Sequence, residues 1–151
     1  MPFSLKNTAQ ASPEEIAELE RRIGMSLPDD YKAFLAENNG GKCTSGGVFR
    51  DAVTREKISR INVMLGLRED PNYDIEKKLS IMESRVPPQL LPIAYDSGGN
   101  YLLLDTADGR RGTIYFLSLE SADPDDPPSL DSLAVVASSF TELRTQVDSN
   151  I

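Results

Sequence analysis

Apolar positions along the first third of the chain recur at helical spacing. Ile16, Leu19 and Ile23 stand three and four residues apart, so they share one helix face. Ser12 is a capping residue, Pro13 suits the first helical position, and Glu15 completes a capping box. Gly24 supplies a left-handed stop. A second helix opens at Leu27-Pro28-Asp29-Asp30, with two acids where the helix dipole favours negative charge. Tyr31, Phe34 and Leu35 form its stripe, and Asn38-Asn39-Gly40-Gly41 ends it. Two short helices with a short joint make an αα-hairpin. Residues 1–11 show no periodicity and are expected to be a flexible arm ahead of a single domain over 12–151.

The pattern then changes. Gly47-Val48-Phe49 reads as a short strand, and residues 59–65 as one half-buried strand in which Ile61, Val63 and Leu65 alternate with Asn62 and Met64. Residues 66–73 read as a loop. Ile75, Leu79 and Met82 mark a third helix, closed by Pro87-Pro88. Leu91, Ile93 and Tyr95 alternate with Pro92, Ala94 and Asp96, and Asp96-Ser97-Gly98-Gly99-Asn100 is a turn. Tyr101 to Leu104 and Ile114 to Leu117 are apolar without a break, as in central strands covered on both faces. Between them, Asp108-Gly109 is a hairpin signal in a loop that extends to Gly112. Residues 120–131 are acidic and Pro-rich and are expected as a loop. Leu133 to Ala137 reads as a last strand. Ser139-Phe140-Thr141-Glu142 is a second capping box, before a helix lined by Phe140, Leu143 and Val147. The expected fold is α+β: a mostly antiparallel central sheet packed against the αα-hairpin and further helices, including a C-terminal one.

Charge narrows the partners. The 24 acidic and 16 basic side chains give a formal charge of −8. That argues against nucleic acid and against an anionic membrane surface, both of which need clustered Lys and Arg. It suits a basic protein partner, since complementary fields raise the rate of encounter. The start, Met1 to Lys6, lacks the pattern of a signal peptide, and no apolar run approaches the ~20 residues needed to cross a bilayer. The cytoplasm is the expected address.

Candidate chemistry is sparse. With no His in the chain, the commonest general base and the Ser-His-Asp and Cys-His arrangements are absent. The one cysteine, Cys43, sits in a Gly- and Ser-rich stretch with no imidazole to activate it. Asp123, Asp125 and Asp126 lack the Gly and the spaced Glu of a calcium-binding loop. Asp96 and Asp105, on or beside neighbouring strands, are a candidate carboxylate pair for hydrolysis. Arg110 and Arg111 at a hairpin tip are candidates for holding a phosphate. The Gly-rich stretches match no phosphate-loop or dinucleotide motif, though a small ligand beside the Gly98-Gly99 turn is a further option. No cofactor and no metal are expected.

Taken together, Ile16 to Gly24, Leu27 to Leu35 and Asn38 to Gly41 resemble the opening signature of the SUKH superfamily. That group includes the yeast Smi/Knr-type cell-wall assembly regulator and many bacterial immunity proteins. Leu91 to Asn100 resembles its strand and glycine turn, Gly112 to Phe116 its next aromatic strand, and Ser138 to Leu143 its closing Ser-Phe helix. The resemblance spans about residues 12–147. It implies a non-catalytic binding domain. The leading expectation is an immunity protein that binds and neutralises a polymorphic or contact-dependent toxin domain, nucleases among them. The alternative is a regulatory adaptor in cell-wall or stress signalling that acts through protein contacts. Candidate partner-binding residues lie on the turns and the acidic loop: Tyr95, Asp96, Asn100, Tyr101, Asp105, Asp123, Asp125 and Asp126. Gly24, Pro28, Tyr31, Phe34, Gly40, Gly98, Gly99 and Phe140 match the family pattern and read as fold-forming.

Overall fold

The computed structural model describes residues 2–121 and 123–148. In chain order the elements are β1 (Ser4–Lys6), α1 (Pro13–Ile23), α2 (Asp29–Glu37), β2 (Gly41–Ser45), β3 (Val48–Arg50), β4 (Lys57–Arg60), β5 (Val63–Met64), α3 (Ile75–Met82), β6 (Leu90–Tyr95), β7 (Tyr101–Asp105), β8 (Ile114–Leu117), β9 (Ala134–Ala137) and α4 (Phe140–Asp148). Two 3₁₀ turns, Leu119–Ser121 and Leu130–Ser132, interrupt the acidic connection between β8 and β9.

Local chemistry sets the helix ends. The Ser12 hydroxyl accepts the Glu15 N–H at 3.1 Å, and the Glu15 carboxylate accepts the Ser12 N–H at 3.0 Å. Gly24 then takes a left-handed conformation with φ 68°. In α4 only half of the expected box forms. Ser139 accepts the Glu142 N–H, but the Glu142 carboxylate accepts from the Ser138 hydroxyl instead. A tertiary cap supplements it: Asp30, in the first turn of α2, accepts both the N–H and the hydroxyl of Thr141 at 2.9 Å.

The main sheet has seven strands in the order β1-β2-β5-β6-β7-β8-β9, with every neighbour antiparallel. It separates two cores. Leu102 and Leu104 of β7 point into the larger one, with Ile16 and Leu19 of α1, Tyr31, Phe34 and Leu35 of α2, and Phe140 and Leu143 of α4. Tyr101 and Leu103 point into the smaller one, with Met82 of α3, Val86, Leu117 and Leu133. Strand alternation therefore sends neighbouring residues into different cores, and β7 is buried throughout. Burying each such aliphatic side chain contributes about 1.5–3 kcal/mol. The family-pattern residues Tyr31, Phe34 and Phe140 are all buried in the larger core.

Three sequence expectations need correction. Residues 4–6 are not a loose arm, because they pair with β2 as an edge strand and satisfy its otherwise open ladder. Residues 59–65 are not one strand. The chain leaves the β3–β4 hairpin, a separate two-stranded sheet, and enters the main sheet at β5, with the Asn62 N–H bonded to the Tyr95 carbonyl between them. The acidic connection is not wholly irregular, since it carries the two 3₁₀ turns. The hairpin sheet is stitched to the main one by Gln146. Its amide oxygen accepts the Arg50 N–H at 2.8 Å, and its amide nitrogen donates to the Val136 carbonyl at 2.7 Å.

Candidate functional site

The turn after β6 is organised by one carboxylate. Asp96 accepts hydrogen bonds from the Gly98 N–H (2.9 Å), the Asn100 N–H (2.9 Å), the Asn100 side-chain amide (3.1 Å) and the Ser59 hydroxyl (2.8 Å). Burial pushes its carboxyl up. The bonds from the Asn100 N–H, the Ser59 hydroxyl, the Asn100 amide and the Gly98 N–H outweigh that and hold it below the usual carboxylate value. Gly99, with φ 83°, closes the turn in a conformation that a side chain rarely adopts. Asp96 is only 6% exposed, so its role is to shape the turn from beneath.

Asn100 carries that order to the acidic connection. Its side-chain oxygen accepts the Leu119 N–H at 2.7 Å. Leu119 is 51% exposed, and its methyl group lies beside Gly99. From there the chain runs through Glu120, Asp123, Asp125, Asp126 and Asp131, with no Lys or Arg before Leu133. The remaining 19 acids nearly balance the 16 bases, so this one segment carries most of the net charge. Asp123, Asp125 and Asp126 are exposed, and the loop is ordered locally by the Asp125 N–H on the Asp123 carboxylate. Leu133 anchors the far end in the smaller core, with Leu130 packed against it.

Tyr95 and Tyr101 face each other across the register pair that ends the β6–β7 hairpin, with ring centroids 6.0 Å apart. The Tyr95 hydroxyl donates to the Asn72 carbonyl, and the Lys78 ammonium lies 5.3 Å from its ring. Tyr101 is buried. Seven of the eight residues singled out from the sequence therefore belong to this end of the sheet or to the loop that springs from it.

Asp105 does not. It pairs with Leu90 at the opposite end of the hairpin, fully buried. There it accepts from the Tyr115 hydroxyl (2.8 Å), the Arg110 guanidinium (2.9 Å) and the Ala107 N–H (3.0 Å). It braces the 106–112 loop and is out of a partner's reach. Burial and the Asp105 carboxylate together push the Tyr115 hydroxyl up to about 12. The candidate carboxylate pair also falls. Strand rise puts Asp96 and Asp105 roughly 15 Å apart, beyond the glycosidase range of about 5–9.5 Å. Arg110 and Arg111 are committed to Asp105 and Asp108, and Arg111 also donates to the Ser26 carbonyl. Cys43 is buried, and burial pushes its thiol up, so thiolate is scarce at neutral pH. No metal-binding group of His, Cys, Asp or Glu occurs among the described residues. No helix among them is long and apolar enough to cross a membrane.

The profile of the SMI1 / KNR4 family (SUKH-1) matches residues 10–146, nearly the whole fold described above. The chain belongs to this family. Among its relatives is the SPbeta prophage-derived uncharacterized protein YokK of Bacillus subtilis (strain 168). It is 28% identical over 144 residues, covering 85% of this chain and 70% of that protein. Another is the uncharacterized protein YnaB of the same strain, 29% identical over 123 residues, covering 81% and 69%. In this SUKH-1 chain the profile takes in both the Asp96 turn and the acidic connection.

Sequence reasoning missed Ser59 and Leu119 at this end of the fold, and placed Glu120 and Asp131 in the acidic loop without naming them as candidates. The acidic pair was legible as charge. Ser59 and Leu119 carry no local signal, because only the tertiary turn brings them to Asp96 and Asn100.

Asp96 has a testable signature. Asp96→Ala removes the acceptor of four donors and is expected to cost about 2–3 kcal/mol in urea unfolding. Its folded value is depressed, so its contribution is present above the unfolded value near 3.9 and is lost as pH falls through the lower folded value. Wild type should therefore lose stability more steeply below about pH 4 than Asp96→Ala does. Parallel acid limbs in the two proteins would show that the carboxylate is not held this way.

Proposed function

We propose that the chain is a non-catalytic immunity protein that binds a basic toxin domain and blocks it. Its docking surface is the Asp96 turn with the acidic connection from Leu119 to Leu133. The observation that carries this reading is the concentration of charge: five acids and no base on one segment, tethered by Asn100 to an ordered turn. A toxin that cleaves nucleic acid must present a basic groove to its substrate. An acidic surface on a rigid frame is complementary to that groove and draws it in at a high rate. Exposed Leu119 and the half-buried Tyr95 supply apolar contact at the edge. Family membership supports a role through protein contacts.

The test is affinity capture from the native host with the tagged protein, followed by co-expression with whatever basic domain is recovered. Recovery of a toxin domain whose growth inhibition this chain abolishes is the expected result. Recovery of endogenous envelope or signalling proteins alone would sink the immunity reading and put the regulatory adaptor in its place.

A further inference from the structure

Two polar side-chain atoms among the described residues are buried without a hydrogen-bond partner: the Tyr31 hydroxyl and Nε of Arg144. Such atoms are rare in folded proteins, and each calls for an account. Both belong to one aromatic cluster. The Tyr31 and Phe140 rings are 5.0 Å apart, as are Phe34 and Phe140, and the Arg144 guanidinium lies 5.4 Å from the Phe34 ring.

Beside this cluster, α2 and α4 leave an open cleft of about 280 Å³, bordered by Asp30, Phe34, Glu37, Phe140, Thr141 and Arg144. Its charges are unevenly used. Asp30 is committed to the N–H and hydroxyl of Thr141. Arg144 forms no ion pair with Asp30 or Glu37 within 4.0 Å, although all three border the cleft. A guanidinium is always charged and presents its donors in a planar fork. The group that best satisfies such a fork is a carboxylate, through charge-assisted hydrogen bonds.

We propose that the cleft between α2 and α4 binds a small organic carboxylate of amino-acid size, with its carboxylate on Arg144 and its apolar part against Phe34 and Phe140. Glu37, exposed at the end of α2, offers a counter-charge for an ammonium group on the same ligand. The volume is near the lower limit of ordinary ligand pockets, which run about 300–1,000 Å³, so a small molecule fits and a nucleotide does not. Neither the Tyr31 hydroxyl, which does not border the cleft, nor the buried Nε of Arg144 is among the proposed contacts, which fall to the terminal nitrogens of the guanidinium. Binding at this site joins two helices that the fold otherwise links through Asp30–Thr141 and ring contacts. This site is independent of the docking surface proposed above.

The experiment is a titration of the isotope-labelled full chain, followed by backbone NMR, with benzoate, benzylamine and each free L-amino acid as separate probes. Saturable shifts at residues 30–37 and 140–144 with benzoate or at least one amino acid, and none with benzylamine, are expected. Arg144→Met keeps an unbranched apolar stem against Phe34 and should weaken that binding more than about tenfold, the loss expected for one charge-assisted hydrogen bond. Arg144→Lys, which keeps the charge without the fork, should fall between. Melting curves establish that both variants fold. The proposal is overturned if no probe produces saturable shifts at these residues. It is equally overturned if benzylamine binds as well as benzoate, or if Arg144→Met binds as tightly as wild type.

Discussion

Replacing Glu120, Asp123, Asp125, Asp126 and Asp131 together by their amides is expected to slow association with the proposed basic partner by about 10- to 1,000-fold at low ionic strength. The reason is the distribution of charge. These five acids carry most of the net −8, and they stand on one segment rather than spread over the surface. A partner approaching this end meets their summed field before any contact forms. Salt shortens the reach of that field to about 8 Å at 0.15 M, so the difference between wild type and variant must shrink as salt rises. Dissociation should change little, because rim charges act mainly on the rate of encounter. The melting temperature should stay nearly constant, since exposed substitutions away from packed features usually stay within about 0.5 kcal/mol. Association kinetics at two salt concentrations, with a melting curve as control, check all three statements. An unchanged association rate would move the docking surface elsewhere on the fold.

Gly66→Ala is expected to be strongly destabilising, costing about 3–4 kcal/mol. A Cβ at this position would stand 2.2 Å from the Asn39 carbonyl oxygen, 2.5 Å from its carbon and 2.6 Å from its side-chain oxygen. Two of these atoms are backbone and cannot swing away. The third is itself committed. Asn39 is buried, its side-chain oxygen accepts the Leu67 N–H at 2.7 Å, and its amide donates to the Leu67 carbonyl at 3.0 Å. Making room would break the brace that ties the end of α2 to the segment leading into α3. Gly24→Ala is the informative contrast. Gly24 is left-handed, but nothing lies within 4 Å of the added atom, so the cost is the conformational one alone, about 1–2 kcal/mol. Urea midpoints with unchanged slopes would separate the two. Equal losses would show that φ, and not space, governs both sites.

Nothing in the run Leu65-Gly66-Leu67 marks its glycine, which has an ordinary backbone angle and sits in no turn motif. Its importance comes from Asn39, 27 positions away. The same holds for Asp105. From the sequence it is an acid at the end of an apolar strand, and it was placed with Asp96 as a candidate for chemistry or binding. The register Leu90↔Asp105 puts it at the far end of the hairpin and under Tyr115, which makes it a buried brace. Ser59 and Leu119 are the converse, residues without a signal that the fold delivers to the turn.

The sequence by itself determined the four helices, the Asp96 turn, the central strands and the α+β class. These features are written locally: in capping residues within three positions of each other, in a 3.6-residue apolar period, in glycines that permit a left-handed turn, and in apolar runs too long for a half-exposed strand. Tertiary structure alone decided that residues 4–6 form a strand, that 59–65 divides between two sheets, and that Arg144 borders a cleft with Asp30 and Glu37 without an ion pair to either. It also decided which of two aspartates borders the candidate site. Each of these depends on partners far away in the chain, and a short segment acquires a ladder partner or a charge neighbour only when the rest of the molecule has packed around it.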